Sequence, residues 1–198
     1  MIALLGGTAT AVAVVAMSAA PALAGITWTV KNGGTDLGVT QSGSSTLKDT
    51  SSDDTLTCTS GAGNVTIPDG TGMSGTDLGD ITAVSFGHCT GPFGISPTLT
   101  PSGTWMVNAV AYASPTTTGT ISNLDVGISS FLCSGTVIGT VSASYSNTTG
   151  TLTVYPDGAL LKIAPGASCL GIISSGDTLD YNATYVLQNT PYVQITSP

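Results

Sequence analysis

The feature that most constrains this chain is an alternation of apolar and polar residues with a period of two. Its clearest instance runs from Thr178 to Leu187, where an apolar or aromatic side chain occupies every second position. The same pattern recurs at 26–31, 56–58, 105–111 and 137–143. Because successive side chains of a strand point to opposite faces, this period predicts half-buried β-strands.

Turn-forming clusters of Gly, Pro, Asn and Asp separate these segments, for example Asn32-Gly33-Gly34 and Pro156-Asp157-Gly158. No stretch shows the apolar stripe of an amphipathic helix. The spacing of strands and turns predicts about nine or ten strands. We therefore expect one all-β domain over residues 25–198, an antiparallel β-sandwich of Ig-like or jelly-roll-like type, with an antiparallel barrel as the other architecture of this spacing.

Composition excludes several classes of protein. Of 198 residues only 7% are charged, with 11 aspartates, no glutamate, three lysines and no arginine, for a formal net charge of −8. So few cations leave no basic surface for nucleic acid. The lack of Glu and Arg argues against exposed helices. The 33 threonines, 23 serines and recurring apolar residues indicate a folded, hydroxyl-rich and acidic protein.

Residues 1–24 have the pattern of an export signal. They carry no charged side chain, have an apolar centre and end in Ala22-Leu23-Ala24, a small-x-small cleavage pattern. The positive residue expected near the start is missing, which indicates either a true start codon a few residues upstream or a weak export signal. The apolar run is too short and too interrupted for a membrane span. We expect a secreted protein, held at most non-covalently at the cell wall.

Four cysteines remain in the mature chain: Cys58, Cys89, Cys133 and Cys169. An even number in an exported protein predicts two disulfides, and four cysteines allow three connectivities. Pairing of near neighbours, Cys58–Cys89 and Cys133–Cys169, is favoured because it closes the smaller loops. No pair has the close spacing typical of zinc ligands or redox motifs.

Charge is distributed unevenly along the sequence. Residues 25–80 contain nine charged side chains, whereas residues 81–156 contain only Asp125. A segment so poor in charge lacks the charged residues that normally prevent sheet edges from pairing with other chains. This pattern suits either an ordinary Thr- and Ser-rich extracellular domain or a surface that packs against other copies or a neutral polymer.

The sequence offers little for catalysis and no predicted cofactor. The single histidine, His88, would have to serve any Ser-His-Asp triad, but no nucleophile-elbow motif is present. Beside a cysteine of a predicted disulfide, it is more typical of a structural or surface histidine. We therefore expect no enzymatic activity and keep a hydrolase based on His88 as the lowest-ranked alternative.

Metal and glycan sites are weaker candidates. Asp69, Asp77 and Asp80 place three carboxylates in a glycine-rich segment, and such oxygen ligands suit Ca²⁺. Their spacing matches no calcium motif, and ordinary turn chemistry explains them as well.

Aromatic residues could form a platform for a glycan. Trp105, Tyr181 and Tyr185 share strand faces with Val, Ala and Leu, which predicts core positions. Tyr145 and Tyr155, on either side of a turn, are the better candidates for exposure.

One resemblance follows from these motifs. The export signal ending in Pro-Ala-Leu-Ala and the run Ile81-Thr-Ala-Val-Ser-Phe-Gly-His-Cys-Thr-Gly-Pro92 resemble small exported proteins of high-GC Gram-positive bacteria. So do Gly176-Asp177-Thr178 and the tyrosine-rich strand that follows. The resemblance implies export and a two-disulfide β domain, and it brings no catalytic or binding residues with it.

The sequence therefore predicts a non-enzymatic secreted protein that is envelope-associated or self-associating at the cell surface. The low charge between residue 81 and residue 156 motivates this hypothesis, with a cell-wall polymer or a second copy as partner. The alternative is an extracellular binding module for a small apolar ligand or a glycan, which predicts a concave pocket lined by aromatic side chains.

Overall fold

A computed structural model gives the fold of the chain and describes residues 25–131, 133–156, 160–169 and 171–198. The predicted signal peptide, residues 1–24, lies outside the described residues and stays a prediction. Within the described ranges there is no α-helix, and no helix is long and apolar enough to cross a membrane.

The described residues form fourteen strands, compared with the nine or ten expected, and one 3-10 turn at Pro92–Gly94. The strands are β1 (Trp28–Lys31), β2 (Gly34–Gln41), β3 (Ser45–Asp49), β4 (Thr55–Ile67), β5 (Gly70–Met73), β6 (Gly79–Thr90), β7 (Thr98–Pro101), β8 (Trp105–Ala113), β9 (Thr116–Ser130), β10 (Cys133–Ser146), β11 (Thr151–Tyr155), β12 (Leu161–Ile163), β13 (Leu179–Leu187) and β14 (Gln194–Thr196).

The period-two alternation is realised in these strands. In β13, Leu179, Ala183 and Leu187 are buried, and the two tyrosines between them pack against the core. In β9, Leu124, Val126 and Ile128 are buried in the same way, and a bulge separates them from buried Ile121. Burial of alternate side chains therefore fixes which face of each strand points inward.

Eleven of the strands form one antiparallel sheet that closes on itself. Hydrogen-bonded neighbours run in the order β10–β11–β13–β2–β4–β6–β8–β9, and β9 pairs again with β10. Short strands lie end to end beside long ones, with β2 and β3 between β13 and β4, β8 and β7 along β9, and β11 and β12 along β10. The predicted all-β antiparallel fold is confirmed. The two sheets expected of a sandwich are joined into one by the pairing of β9 with β10.

A second sheet of three strands, ordered β14–β1–β5, covers one end of the closed sheet. Trp28 and Val30 of β1 are almost fully buried, and they pack with Ile195 of β14 and Ile67 of β4 in one of two apolar clusters. We call this end of the molecule the plug end. The other cluster fills the remaining length of the closed sheet and includes both Cys133 and Cys169.

Both predicted disulfides are present. Cys58 of β4 lies directly opposite Cys89 of β6, and Cys133 at the start of β10 is joined to Cys169 in the segment after β12. The bonded cysteines are 31 and 36 residues apart in sequence. On a chain-entropy estimate, cross-links of this span each stabilise the fold by about 3.5–4 kcal/mol. We call the end that holds Cys133–Cys169 the disulfide end.

Candidate functional site

The uneven charge along the sequence becomes an uneven charge around the closed sheet. Strands β8, β9, β10 and β11 follow one another in the sheet, and they come from the segment between residues 81 and 156. Along their plug-end half and the adjoining part of β13, residues 105–113, 116–122, 141–146, 151–155 and 183–187 include no charged side chain. The plug-end half of this side is therefore uncharged across five neighbouring strands, whereas Asp125 of β9 and Asp180 of β13 lie farther along the same strands.

The outward positions of this side carry a two-dimensional array of hydroxyl groups. Three residues from each of β9, β10 and β11 lie in matching register, and β13 adds one more. We call these ten residues the hydroxyl face: Thr116, Thr118, Thr120, Ser142, Ser144, Ser146, Thr151, Thr153, Tyr155 and Thr184. Sheet geometry separates neighbouring hydroxyl positions by about 4.8 Å between strands and about 6.8 Å along a strand.

The central row of the hydroxyl face crosses four strands. Thr118 lies opposite Ser144, Ser144 lies opposite Thr153, and Thr153 lies opposite Thr184. Inward-pointing Ala143 and Val154 bury the other face of the same strands. The four central residues are partly exposed, whereas Ser142 in the adjacent row is buried.

Several of these hydroxyls make no hydrogen bond with other described residues. Among the described residues, the side chains of Thr116, Ser144, Thr153 and Thr184 have no hydrogen-bond partner. A hydroxyl group can donate one hydrogen bond and accept two. The centre of the hydroxyl face therefore presents both donors and acceptors to a neutral polar partner.

On β8, the border of the hydroxyl face consists of apolar side chains and of a polar side chain that is already hydrogen-bonded. Ala111 and Ala113 lie opposite Thr118 and Thr116 and are exposed. The Asn108 amide donates to the Ser122 hydroxyl at 2.9 Å. A partner at this face would meet hydroxyls, methyl groups and amides, and no ion pair could form there.

His88, the histidine that any Ser-His-Asp triad would need, lies in β6. Its neighbour Cys89 points inward to form a disulfide, so the His88 side chain lies exposed on the opposite side of β6. Within the described ranges, no Ser or Asp side chain hydrogen-bonds to its imidazole. The hydrolase hypothesis therefore receives no geometric support.

The three aspartates proposed for calcium differ in their surroundings, and only the Asp69 carboxylate has a described hydrogen bond. The Asp69 carboxylate accepts a hydrogen bond from the Gly33 N–H at 2.7 Å, and the Asp77 N–H donates to the Asn108 side-chain oxygen at 2.9 Å. Asp80 lies in β6, paired with Met106. No group of three metal-ligating side chains occurs among the residues that the structure describes.

The tyrosines do not form an exposed aromatic platform. Tyr145 is half-buried rather than exposed, and its hydroxyl donates to the Val193 carbonyl at 3.0 Å. Desolvation raises the pKa of Tyr145 to about 12, with a smaller contribution from Tyr192. The hydroxyls of Tyr181 and Tyr185 lie 2.6 Å apart, and desolvation raises the pKa of both tyrosines. Tyr155, the other tyrosine expected to be exposed, is half-buried in the hydroxyl face.

The interior of the closed sheet contains several small apolar cavities. One cavity of about 80 Å³ lies at the plug end and is lined by Leu37, Ile67 and Val193 among others. Three further cavities of about 40 Å³ each lie in the interior, also with apolar walls. Pockets for drug-sized ligands are about 300–1,000 Å³, so these cavities leave no room for such a ligand.

The fold and the hydroxyl face define a disulfide-bonded all-β protein with one uncharged, hydroxyl-rich side. Comparisons of the chain with protein-family models, curated proteins and solved structures found no match. The sequence did contain a signal for the hydroxyl face in the segments Thr116–Thr120, Ser142–Ser146 and Thr151–Tyr155, where a hydroxyl recurs at every second position.

Proposed function

We propose that this is a non-catalytic exported protein that attaches to the cell envelope by binding a neutral polysaccharide with its hydroxyl face. The observation that carries the proposal is the row Thr118, Ser144, Thr153 and Thr184, in which three of the four side chains lack a partner within the described protein. A neutral glycan also presents hydroxyl groups, and it needs no charged residue for recognition.

The energetics favour a polymer over a single sugar. A hydrogen bond between neutral groups contributes about 0.5–1.5 kcal/mol net in water. Only a few such bonds can form with one sugar unit, so affinity for a monosaccharide would be low. A polymer holds further sugar units near the hydroxyl face at high effective concentration. Its overall affinity is therefore higher than that of one unit, even if no single unit binds more tightly.

The uncharged side could instead pack against a second copy of the chain. The formal net charge of −8 opposes that arrangement, because two copies repel each other at low ionic strength. A neutral polymer carries no such penalty. We therefore place polysaccharide binding first and self-association second.

Binding of a small apolar ligand is the other alternative. It would have to use the interior cavities, such as the one of about 80 Å³ at the plug end. Native mass spectrometry of protein secreted by its own cell tests this alternative, because a retained ligand would appear as added mass.

The experiment for the main proposal is co-sedimentation of the protein with insoluble neutral polysaccharide and with polypeptide-free cell-wall material. Two variants, Thr118→Lys and Thr153→Lys, place a charged side chain at the centre of the hydroxyl face. Thr46→Lys is the matched control, because Thr46 lies on β3 near Lys48 and Asp180, on the charged side of the sheet. We expect the two face variants to lose binding and the control to retain it.

The dependence on salt provides a second readout. Binding through neutral hydroxyls should change little with ionic strength, since no ion pair contributes. Equal loss in all three variants, or binding abolished by moderate salt, would contradict the proposal. Dimers in sedimentation equilibrium that disappear in Thr118→Lys would support self-association instead.

A further inference from the structure

Two phenylalanine side chains are almost fully exposed in this protein. Phe93 is 91% exposed in the 3-10 turn between β6 and β7, and Phe131 is 97% exposed in the connection between β9 and β10. Large apolar side chains exposed together often mark a site of interaction with a protein or a membrane. The hydroxyl face includes neither of them.

Both phenylalanines lie at the disulfide end. Thr98 of β7 pairs with Ser129 of β9, and Ser130 pairs with Cys133 of β10, so the connections that carry Phe93 and Phe131 leave the same end of the sheet. Pro92 and Cys133 also line one common cavity. The two rings therefore project from neighbouring connections rather than from opposite sides of the molecule.

The backbone at Phe93 adds an independent observation. Phe93 has φ 55° and ψ 19°, in the left-handed region that bulky residues rarely adopt. Glycine occupies that region without strain, and the residues on both sides of Pro92-Phe93 are glycines. A phenylalanine held there at a cost in free energy, with its ring in water, suggests a use for the ring outside the fold.

We propose that Phe93 and Phe131 form a two-residue anchor that inserts into the interface of an electrically neutral lipid bilayer. Both rings are more than nine-tenths exposed, so neither packs into an apolar surface around it. A protein partner would need a complementary surface, commonly about 800 Å² on each side. A bilayer accepts isolated protruding rings without shape complementarity. The connections 91–97 and 130–133 also contain no charged residue that would have to leave water.

The charges elsewhere at this end determine which lipid surface fits. Asp53 and Asp54 lie in the turn between β3 and β4, and Asp177 lies in the segment before β13. Lys48 forms an ion pair with Asp53 at 2.6 Å. Lys162 is exposed on β12 opposite Thr178, but neither Asp54 nor Asp177 forms an ion pair among the described residues. Together with the net charge of −8, these carboxylates would be repelled by anionic lipid. The anchor therefore suits zwitterionic or uncharged headgroups.

The experiment is flotation of the protein with phosphatidylcholine vesicles, compared with vesicles that contain anionic lipid. We expect weak, reversible binding to phosphatidylcholine and weaker binding to the anionic vesicles. Burial of a phenylalanine ring contributes substantially to the free energy of transfer from water to the bilayer. Phe93→Ser and Phe131→Ser should therefore each lower the partition coefficient between water and vesicles roughly tenfold. Stronger binding to anionic vesicles, or no effect of either variant, would overturn the proposal.

Two further variants separate insertion from folding. Phe93→Gly removes the ring and relieves the left-handed backbone, so we expect unchanged or higher thermal stability together with weaker vesicle binding. Phe131→Trp should show a blue shift of its fluorescence when phosphatidylcholine is added, since Trp28 and Trp105 are already buried. Absence of that shift would overturn the proposal, as would dimers formed without lipid and lost in Phe131→Ser. Because Phe93 and Phe131 lie outside the hydroxyl face, Thr118→Lys should leave vesicle binding unchanged.

Discussion

The Tyr145 hydroxyl donates a hydrogen bond to the Val193 carbonyl at 3.0 Å. This contact fastens the segment that leads into β14 against β10 of the closed sheet. Tyr145→Phe removes the bond and leaves the Val193 carbonyl with only the longer hydrogen bond from the Gln194 side-chain amide at 3.3 Å. We expect a loss of about 1 kcal/mol in the free energy of unfolding, measured by urea denaturation.

Tyr155→Phe is the control for that variant. The Tyr155 hydroxyl lies on the outer side of the sheet and makes no hydrogen bond with the described residues. Its removal should change the free energy of unfolding by no more than about 0.5 kcal/mol. Equal losses in the two variants would show that the Tyr145 hydrogen bond does not hold the C-terminal segment.

The buried tyrosines predict a loss of stability at alkaline pH. The pKa of Tyr145 is about 12 in the folded protein, and desolvation also raises the pKa of Tyr181 and Tyr185 above the ordinary value of 10.0. A raised pKa means that the unfolded chain releases these protons first. Their contribution is complete below pH 10 and is lost as the pH rises through the folded values.

Unfolding free energies measured across the range from pH 10 to about 12 test this prediction. We expect stability to fall through that range, together with delayed appearance of tyrosinate absorbance in the folded protein. The decline should be less steep in Tyr145→Phe, which lacks one of the three groups. Constant stability across the range would contradict the burial of these hydroxyls.

The sequence predicted those features that depend on local pattern. The alternation at 178–187 gave β13 with Leu179, Ala183 and Leu187 inward, because a period of two is an intrinsic property of strands. Pairing of near cysteines gave both disulfides, because β4 and β6 are neighbours in the sheet and Cys169 follows β12, which pairs with β10.

Features that depend on the order and register of distant strands were not predictable. Thr118 and Thr184 belong to one row only because β9, β10, β11 and β13 are successive neighbours in matching register. Tyr145 is half-buried because a segment 48 residues away covers its hydroxyl. The expected number of strands was too low because short strands lie end to end in the sheet. Two such strands share one place beside a long strand, and the sequence pattern counted that place as a single strand.

Asp49 stabilises the turn between β3 and β4 from a buried position. It is only 2% exposed, and one carboxylate oxygen accepts hydrogen bonds from the N–H groups of Ser51 at 2.6 Å and Ser52 at 3.2 Å. Asp49→Ala leaves both donors without this acceptor, and we expect a loss of about 1–3 kcal/mol in thermal or urea unfolding. Asp49→Asn keeps an acceptor oxygen and should lose less.

Asp53→Asn is the control for the same turn. Asp53 is exposed, and its side chain forms only the ion pair with Lys48. Exposed ion pairs contribute little to stability, so this variant should resemble the wild type. Equal losses of stability in Asp53→Asn and Asp49→Ala would show that the hydrogen bonds accepted by Asp49 do not stabilise this turn.

Gly119 lies where β8 and β9 approach most closely. A Cβ atom added to Gly119 would lie within van der Waals overlap of the Asn108 carbonyl oxygen, so neither strand could keep its place. Gly119→Ala should therefore lower the free energy of unfolding by about 2 kcal/mol or more.

Gly127 lies on the same strand and provides the control, because the atom nearest to a Cβ added there is 3.6 Å away. Gly127→Ala should be neutral or slightly stabilising, since alanine restricts the unfolded chain more than glycine. Urea unfolding of the two variants measures this difference, and similar stabilities would mean that β8 and β9 do not approach as described.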